Sequence, residues 1–182
     1  MFSPSSTRIV GLFSILPMIA IAGCDDPAKN KTKAITTEAT PNAASVGTDG
    51  KGAVAAGSVR YEIEPATSKI QWTGSKVTGK HDGAFTAFSG YVSLVDNAPE
   101  KSTVNVDIET SSLTTDSDKL IGHLKSADFF DVAKFPKATF ASTEVKKGGD
   151  KGASHTVTGN LTLHGVTKSI TFPANIRATG SG

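Results

Sequence analysis

Cysteine, tryptophan, methionine and tyrosine are scarce in this chain: one Cys, one Trp, two Met and two Tyr among 182 residues. A single cysteine excludes an internal disulfide and a multi-cysteine zinc site. A dominant charge is missing too. The formal net charge is +2, the two signs nearly cancel from Ser58 onward, and no Lys- or Arg-rich block occurs there, which argues against nucleic acid as a partner. The four histidines, His81, His123, His155 and His164, never fall at His-x-His, His-x₃-His or His-Glu-x-x-His spacing. A zinc site would have to be assembled from distant positions. No Gly-x-Ser-x-Gly elbow, phosphate-binding glycine loop or dinucleotide fingerprint is present. The expectation is therefore a protein that is not an enzyme and uses no cofactor or metal.

Long apolar runs are also lacking, with one exception at the N-terminus. Arg8 precedes an apolar stretch from Ile9 to Ala22, shorter than the roughly 20 residues a helix needs to cross about 30 Å of hydrocarbon, and Pro17 interrupts it. It reads as a signal peptide over residues 1–23. The segment ends Ile21-Ala22-Gly23-Cys24, which resembles a bacterial lipobox. That resemblance implies acylation of Cys24 and a membrane anchor; Asp25 behind it leaves inner or outer membrane undecided. Several acyl chains anchor stably where one holds weakly, each buried CH₂ adding about 0.8 kcal/mol. Residues 24–57 hold no aromatic and no leucine. Too little apolar surface is available there to offset ordering entropy, so a lipidated flexible tether is expected.

From residue 58 the pattern has period two, the sign of half-buried strands. Tyr61 and Ile63 alternate with charged residues; Ile70 and Trp72 share a face; Val104, Val106 and Ile108 alternate with Asn105, Asp107 and Glu109. Residues 138–146 read as a strand, as do Val157, Leu161 and Leu163 within 156–163, and Ile170, Phe172, Ala174 and Ile176 after them. Residues 78–83 read as a glycine-rich turn, the parity break between Phe85 and Phe88 as a bulge or bend near Ser89-Gly90, and His164-Gly165 as a tight hairpin turn. About seven strands at hairpin spacing predict an all-β antiparallel barrel or strongly curved sheet. One helical segment, about 116–131, interrupts them. It precedes Phe135 and carries Leu120, Leu124, Phe129 and Phe130, and is suited to closing a barrel mouth. Asp116 and Asp128 read as capping or turn residues; with Asp118 and Asp131 they do not match a calcium loop. His155 reads as solvated, and His81 and His123 as residues that fix a loop or the flap by hydrogen bonding.

Several segments resemble one family. They are Gly79-Lys80-His81-Asp82-Gly83, Thr114-Thr115-Asp116, His123-Leu124-Lys125-Ser126, Asp128-Phe129-Phe130-Asp131, Phe135-Pro136, Thr139-Phe140-Ala141-Ser142 and 158–165. In this order and spacing they resemble the YceI-like family, over roughly Val59 to Ile176. The resemblance implies a lipocalin-like barrel in residues 58–182, in a periplasmic or secreted bacterial protein that binds a polyisoprenoid or quinone-type lipid. Family members usually carry further strands beyond Ile176, so the domain is expected to be C-terminally short, its last strands missing. Ligand-lining residues expected on this basis are Trp72, Phe85, Phe88, Leu124, Phe129, Phe130 and Phe140, with Lys80, His81, His123 and Lys125 as polar groups at the mouth. The aromatics alone are equally compatible with a filled barrel core in a non-enzymatic stress or interaction protein. Pairing of two chains stays open.

Overall fold

The computed structural model describes residues 34–40, 57–76 and 79–177. The signal segment, Cys24 and Asp25 lie outside the described residues. Ten strands and one helix follow in the order β1 (Ile35–Glu38), β2 (Ser58–Ile63), β3 (Ile70–Lys76), β4 (Gly79–Phe85), β5 (Phe88–Val95), β6 (Ala98–Glu109), β7 (Leu113–Thr115), α1 (Asp118–Lys125), β8 (Lys137–Lys147), β9 (His155–Leu163) and β10 (Val166–Ala174). All pairing is antiparallel. Seven strands form one sheet in the order β1-β10-β9-β8-β6-β5-β2, and β3-β4-β7 form a second. The large sheet is an up-and-down meander from which β3, β4 and β7 are lifted out. Its edge strands β1 and β2 do not pair with each other, so the fold is lipocalin-like without a closed ring of hydrogen bonds among the described residues.

The expected bend falls at Thr86–Ala87, where the chain leaves the small sheet and enters the large one. The bulge proper lies further on, between Ser93 and Val95. The expected turn at 78–83 is instead mostly strand. Gly79 to Phe85 pair with Lys76 to Ile70, and Gly83 serves packing rather than turning, because a Cβ there would collide with the Trp72 indole and the Thr114 carbonyl. His164 (φ 52°) and Gly165 (φ 73°) form the expected two-residue hairpin turn between β9 and β10, where both positions need the left-handed conformation.

The tether expectation fails at one place. Ile35 to Glu38 pair with Thr171 to Lys168 on the edge of β10. Glu38 accepts from Lys168 Nζ at 2.6 Å, and the Asn160 side chain grips the Thr40 backbone on both sides, accepting from its N–H at 3.1 Å and donating to its carbonyl at 2.9 Å. Composition could not reveal this, because the order comes from the receiving edge. An unpaired edge presents a row of free N–H and C=O groups that any extended segment can satisfy.

The helical segment is shorter than expected. Only Asp118–Lys125 is α-helix, capped by Ser117, whose side chain accepts from Leu120 N–H. Beyond Ser126 the chain runs in turns, with Asp131 at φ 46° and Phe130 N–H returning to the Leu124 carbonyl at 3.0 Å. This loop is fixed from below by Thr110, fully buried, whose hydroxyl donates to the Phe135 carbonyl at 2.8 Å and whose N–H donates to the Pro136 carbonyl at 2.9 Å. No helix among the described residues is long and apolar enough to cross a membrane.

Candidate functional site

Strand parity puts Ile108, Ala138 and Leu161 on one face of the large sheet, since Ile108 pairs with Ala138 and Leu161 with Phe140, two residues along the same strand. The small sheet faces them with Trp72 and Phe85. Leu120 and Leu124, one helical turn apart on α1, close one end together with Phe129 and Phe130. These residues, with Leu163, Gly74, Ser75 and His81, line a cavity of about 530 Å³. The volume lies within the range of about 300–1,000 Å³ typical of small-molecule sites. Small side chains at Gly74, Ser75 and Ala138 leave the space; larger ones would fill it.

Of the residues expected to line a ligand, Trp72, Phe85, Leu124, Phe129 and Phe130 are brought together in this wall. Two are corrections. Phe88 is buried at the start of β5 opposite Ile108 and lies off the cavity wall. Phe140 turns its ring against Phe172 at 5.8 Å and over Gly159, so it packs the sheet rather than the cavity. Ile108, Leu161 and Leu163 were not singled out, although the alternation of their strands had put them on the right face.

The aromatic rings of the flap form a chain. Phe130 meets Phe85 edge-on at 6.1 Å and Phe129 edge-on at 4.8 Å. Phe129 is 49% exposed and packs beside His123 at 6.4 Å, which places both at the rim. Among the described residues no acceptor reaches the buried Trp72 indole nitrogen, a cost of about 1–3 kcal/mol that the ring's packing must offset.

Among the four polar residues expected at the mouth, only His81 belongs to the cavity wall. Lys80, one residue earlier on β4, points to the opposite face and pairs with Asp82 at 2.7 Å. His123 is exposed beside Phe129, and Lys125 is half-buried at the end of α1. Asp116 is no cap. It takes the His81 Nδ1–H at 2.8 Å and the Thr115 hydroxyl at 2.9 Å, and these two hydrogen bonds, His81 first, hold its carboxyl below the usual aspartate range. His155, expected to be solvated, is buried, with Ser154 Oγ 2.9 Å from its Nδ1. His164 stacks edge-on against Phe135 at 4.8 Å. Among the described residues no three His, Cys, Asp or Glu side chains gather at metal-binding distance.

Comparison with known proteins agrees with this architecture. The model of the YceI-like domain matches residues 61–182. The chain is 47% identical over 98 residues to a UPF0312 protein of Pseudomonas putida, covering 54% of this chain and 50% of that one. It is 46% identical over 98 residues to the protein YceI of Salmonella arizonae, with the same coverage. The chain thus spans about half the length of the curated relatives it matches. Among solved structures, BcnA of Burkholderia cenocepacia superposes with a TM-score of 0.55 at 25% identity, over 65% of this chain and 73% of that one.

Proposed function

The chain belongs to the YceI-like family, and from that premise we propose that it is a non-enzymatic binding protein for an apolar isoprenoid-type lipid, a polyprenyl chain or a quinone, held in the cavity between the two sheets. The observation that carries this reading is the cavity itself: about 530 Å³ walled almost wholly by aliphatic and aromatic side chains. An isoprenoid offers methyl and methylene groups, and burying them yields about 25 cal/mol per Å². Some 300 Å² of ligand surface would contribute roughly 7 kcal/mol before the costs of immobilisation. No directional polar contact is needed for most of that gain.

The site of action is the periplasmic face of a bacterial membrane, reached through acylation of Cys24. The support is the sequence Ile21-Ala22-Gly23-Cys24 behind an apolar segment too short to span. With β1 paired to β10, the residues from Cys24 to Ile35 can span at most roughly 40 Å even at full extension. The domain would therefore ride close to the membrane that supplies its ligand.

Mass spectrometry of organic extracts from protein purified out of a bacterial membrane fraction tests the reading. Isoprenoid lipid recovered in proportion to protein supports it. Extracts free of such lipid, combined with Trp72 fluorescence indifferent to saturating farnesol or a short-chain quinone, would overturn it in favour of a stress or interaction protein.

A further inference from the structure

The cavity wall is apolar apart from Ser75 and His81, and His81 is held in an organised contact. His81 sits on β4 directly opposite Gly74 of β3, and both line the cavity. Its Nδ1 lies 2.8 Å from Asp116 Oδ1. A carboxylate only accepts, so Nδ1 carries the hydrogen, and in the neutral ring Nε2 is left as a lone-pair acceptor. No other described residue bonds to this ring. Asp116 is itself oriented by Thr115, whose hydroxyl lies 2.9 Å from Asp116 Oδ1 and 2.9 Å from the Asp82 carbonyl. The tautomer is therefore set by a chain of contacts running away from the cavity, a device that fixes what the second nitrogen can do.

The charges around this end decide which head group fits. Lys80, the lysine nearest in sequence, is engaged by Asp82 at 2.7 Å. Asp116 stays ionised at neutral pH, and Asp118 follows it at the start of α1. None of the described residues lining the cavity is a lysine or arginine. With no cation in its wall, the cavity lacks what a diphosphate needs, namely cations or several convergent donors. A neutral hydroxyl has no such need and can give its hydrogen to Nε2.

We infer that the His81–Asp116 pair is a head-group site, and that it selects a lipid bearing an uncharged hydroxyl, as in a prenyl alcohol or a quinol, over a prenyl diphosphate. This rests on reading the cavity as a lipid site. The hydroxyl donates to His81 Nε2 while the chain lies against Phe85, Leu124 and Leu161; Asp116 acts through the imidazole and does not touch the lipid.

Three ligands of equal chain length separate the contributions: farnesol, farnesyl diphosphate and the hydrocarbon farnesene, each titrated against Trp72 fluorescence and by calorimetry. Farnesol is expected to bind about fivefold to tenfold tighter than farnesene, the worth of one hydrogen bond, and tighter than the diphosphate. His81→Leu should bring the farnesol-to-farnesene affinity ratio to about one. Asp116→Asn, at a position 59% exposed, should lower the same ratio and keeps the test valid if His81→Leu does not fold. Diphosphate binding tightest, or a ratio unmoved in the variants, would overturn the head-group assignment while leaving the lipid reading standing. If none of the three binds the wild-type protein, both fall together.

Discussion

Replacing Phe129 with alanine should separate ligand retention from stability, and the structure supplies the size of each effect. Phe129 is 49% exposed. A fully buried Phe→Ala change costs about 3–5 kcal/mol, so about half of that, near 2 kcal/mol, is expected in the empty protein. For a domain of this size the melting temperature should drop by roughly 8 °C. The exposed half of the ring amounts to about 100 Å² and is what a lipid at the rim would cover. At about 25 cal/mol per Å² the ceiling is about 2.5 kcal/mol, and partial coverage brings the expected loss to about 1–2 kcal/mol, a fivefold to thirtyfold weaker affinity. Phe130 gives the contrast. It is wedged between Phe85 and Phe129 by two edge-to-face contacts, each worth about 0.5–1.5 kcal/mol beyond burial. Phe130→Ala should therefore unfold markedly earlier than Phe129→Ala. The assay is thermal unfolding of lipid-free protein alongside farnesol titration. Equal destabilisation by both variants, with affinity within twofold of wild type in Phe129→Ala, would refute the assignment of Phe129 to the rim.

Asn160→Ala should release the N-terminal strand: amide hydrogen exchange at Ile35–Glu38 and Thr40 should accelerate by roughly tenfold to thirtyfold, for two lost hydrogen bonds of about 0.7–1 kcal/mol each in a partly exposed setting, while the β9–β10 amides stay protected. Unchanged exchange at residues 35–40 would show that the pairing with β10 needs no side-chain grip. Gly83→Ala should drive the Trp72 indole from its seat, seen as a red-shifted emission and a loss of roughly 2 kcal/mol or more; an unshifted spectrum would contradict the close approach. Folding holds the Asp116 carboxyl below its ordinary value of 3.8, so its stabilising contribution is complete above about pH 4 and disappears as pH falls through the lower folded value. Accordingly Asp116→Asn should lower the melting temperature at pH 7, and the difference from wild type should shrink as the pH falls below 3.8. Cys24→Ser should abolish metabolic labelling by palmitate, and label that persists would end the lipoprotein reading.

The strands were legible where both faces of a strand have distinct jobs. Val104, Val106 and Ile108 alternate with Asn105, Asp107 and Glu109, and the ladder places them as the alternation implies. Legibility failed where the partner, not the segment, decides. Nothing in Ile35-Thr-Thr-Glu38 marks it as a strand apart from β-branched residues; the vacant edge of β10 does. Leu113–Thr115 is too short to show a period, yet Leu113, paired with Phe85 of β4, is 1% exposed. Gly79 and Gly83 suggested a turn by type, whereas Gly83 is required by the ring of Trp72 from the neighbouring strand. The same holds for the site. Aromatic content pointed to Trp72, Phe85, Phe129 and Phe130, but could not separate Phe140, whose ring packs on a strand next but one in space. Asp116 looked like a helix cap because it lies just before α1; Ser117, the next residue, takes that role and leaves the carboxylate to His81.

The size of the cavity bears on whether the core is filled or receptive. If about 530 Å³ were a sealed dry void, a penalty of about 24 cal/mol per Å³ would amount to roughly 13 kcal/mol, comparable to the whole stability of a domain this size. Such a void would not survive in the native state. Repacking could remove it only by moving Phe129, Phe130 and the loop inward, but Thr110 ties that loop to the sheet below through both its N–H and its hydroxyl. The Thr110 contacts thus oppose collapse of the space, and a space this large is more readily filled by water or ligand than left dry. Water needs two to four polar partners to be held well, and this wall offers it little besides His81 and Ser75. On the proposed lipid reading, an apolar chain would displace water so poorly held, remove the apolar wall from water and leave the one organised polar contact, His81 with Asp116 behind it, for the head group.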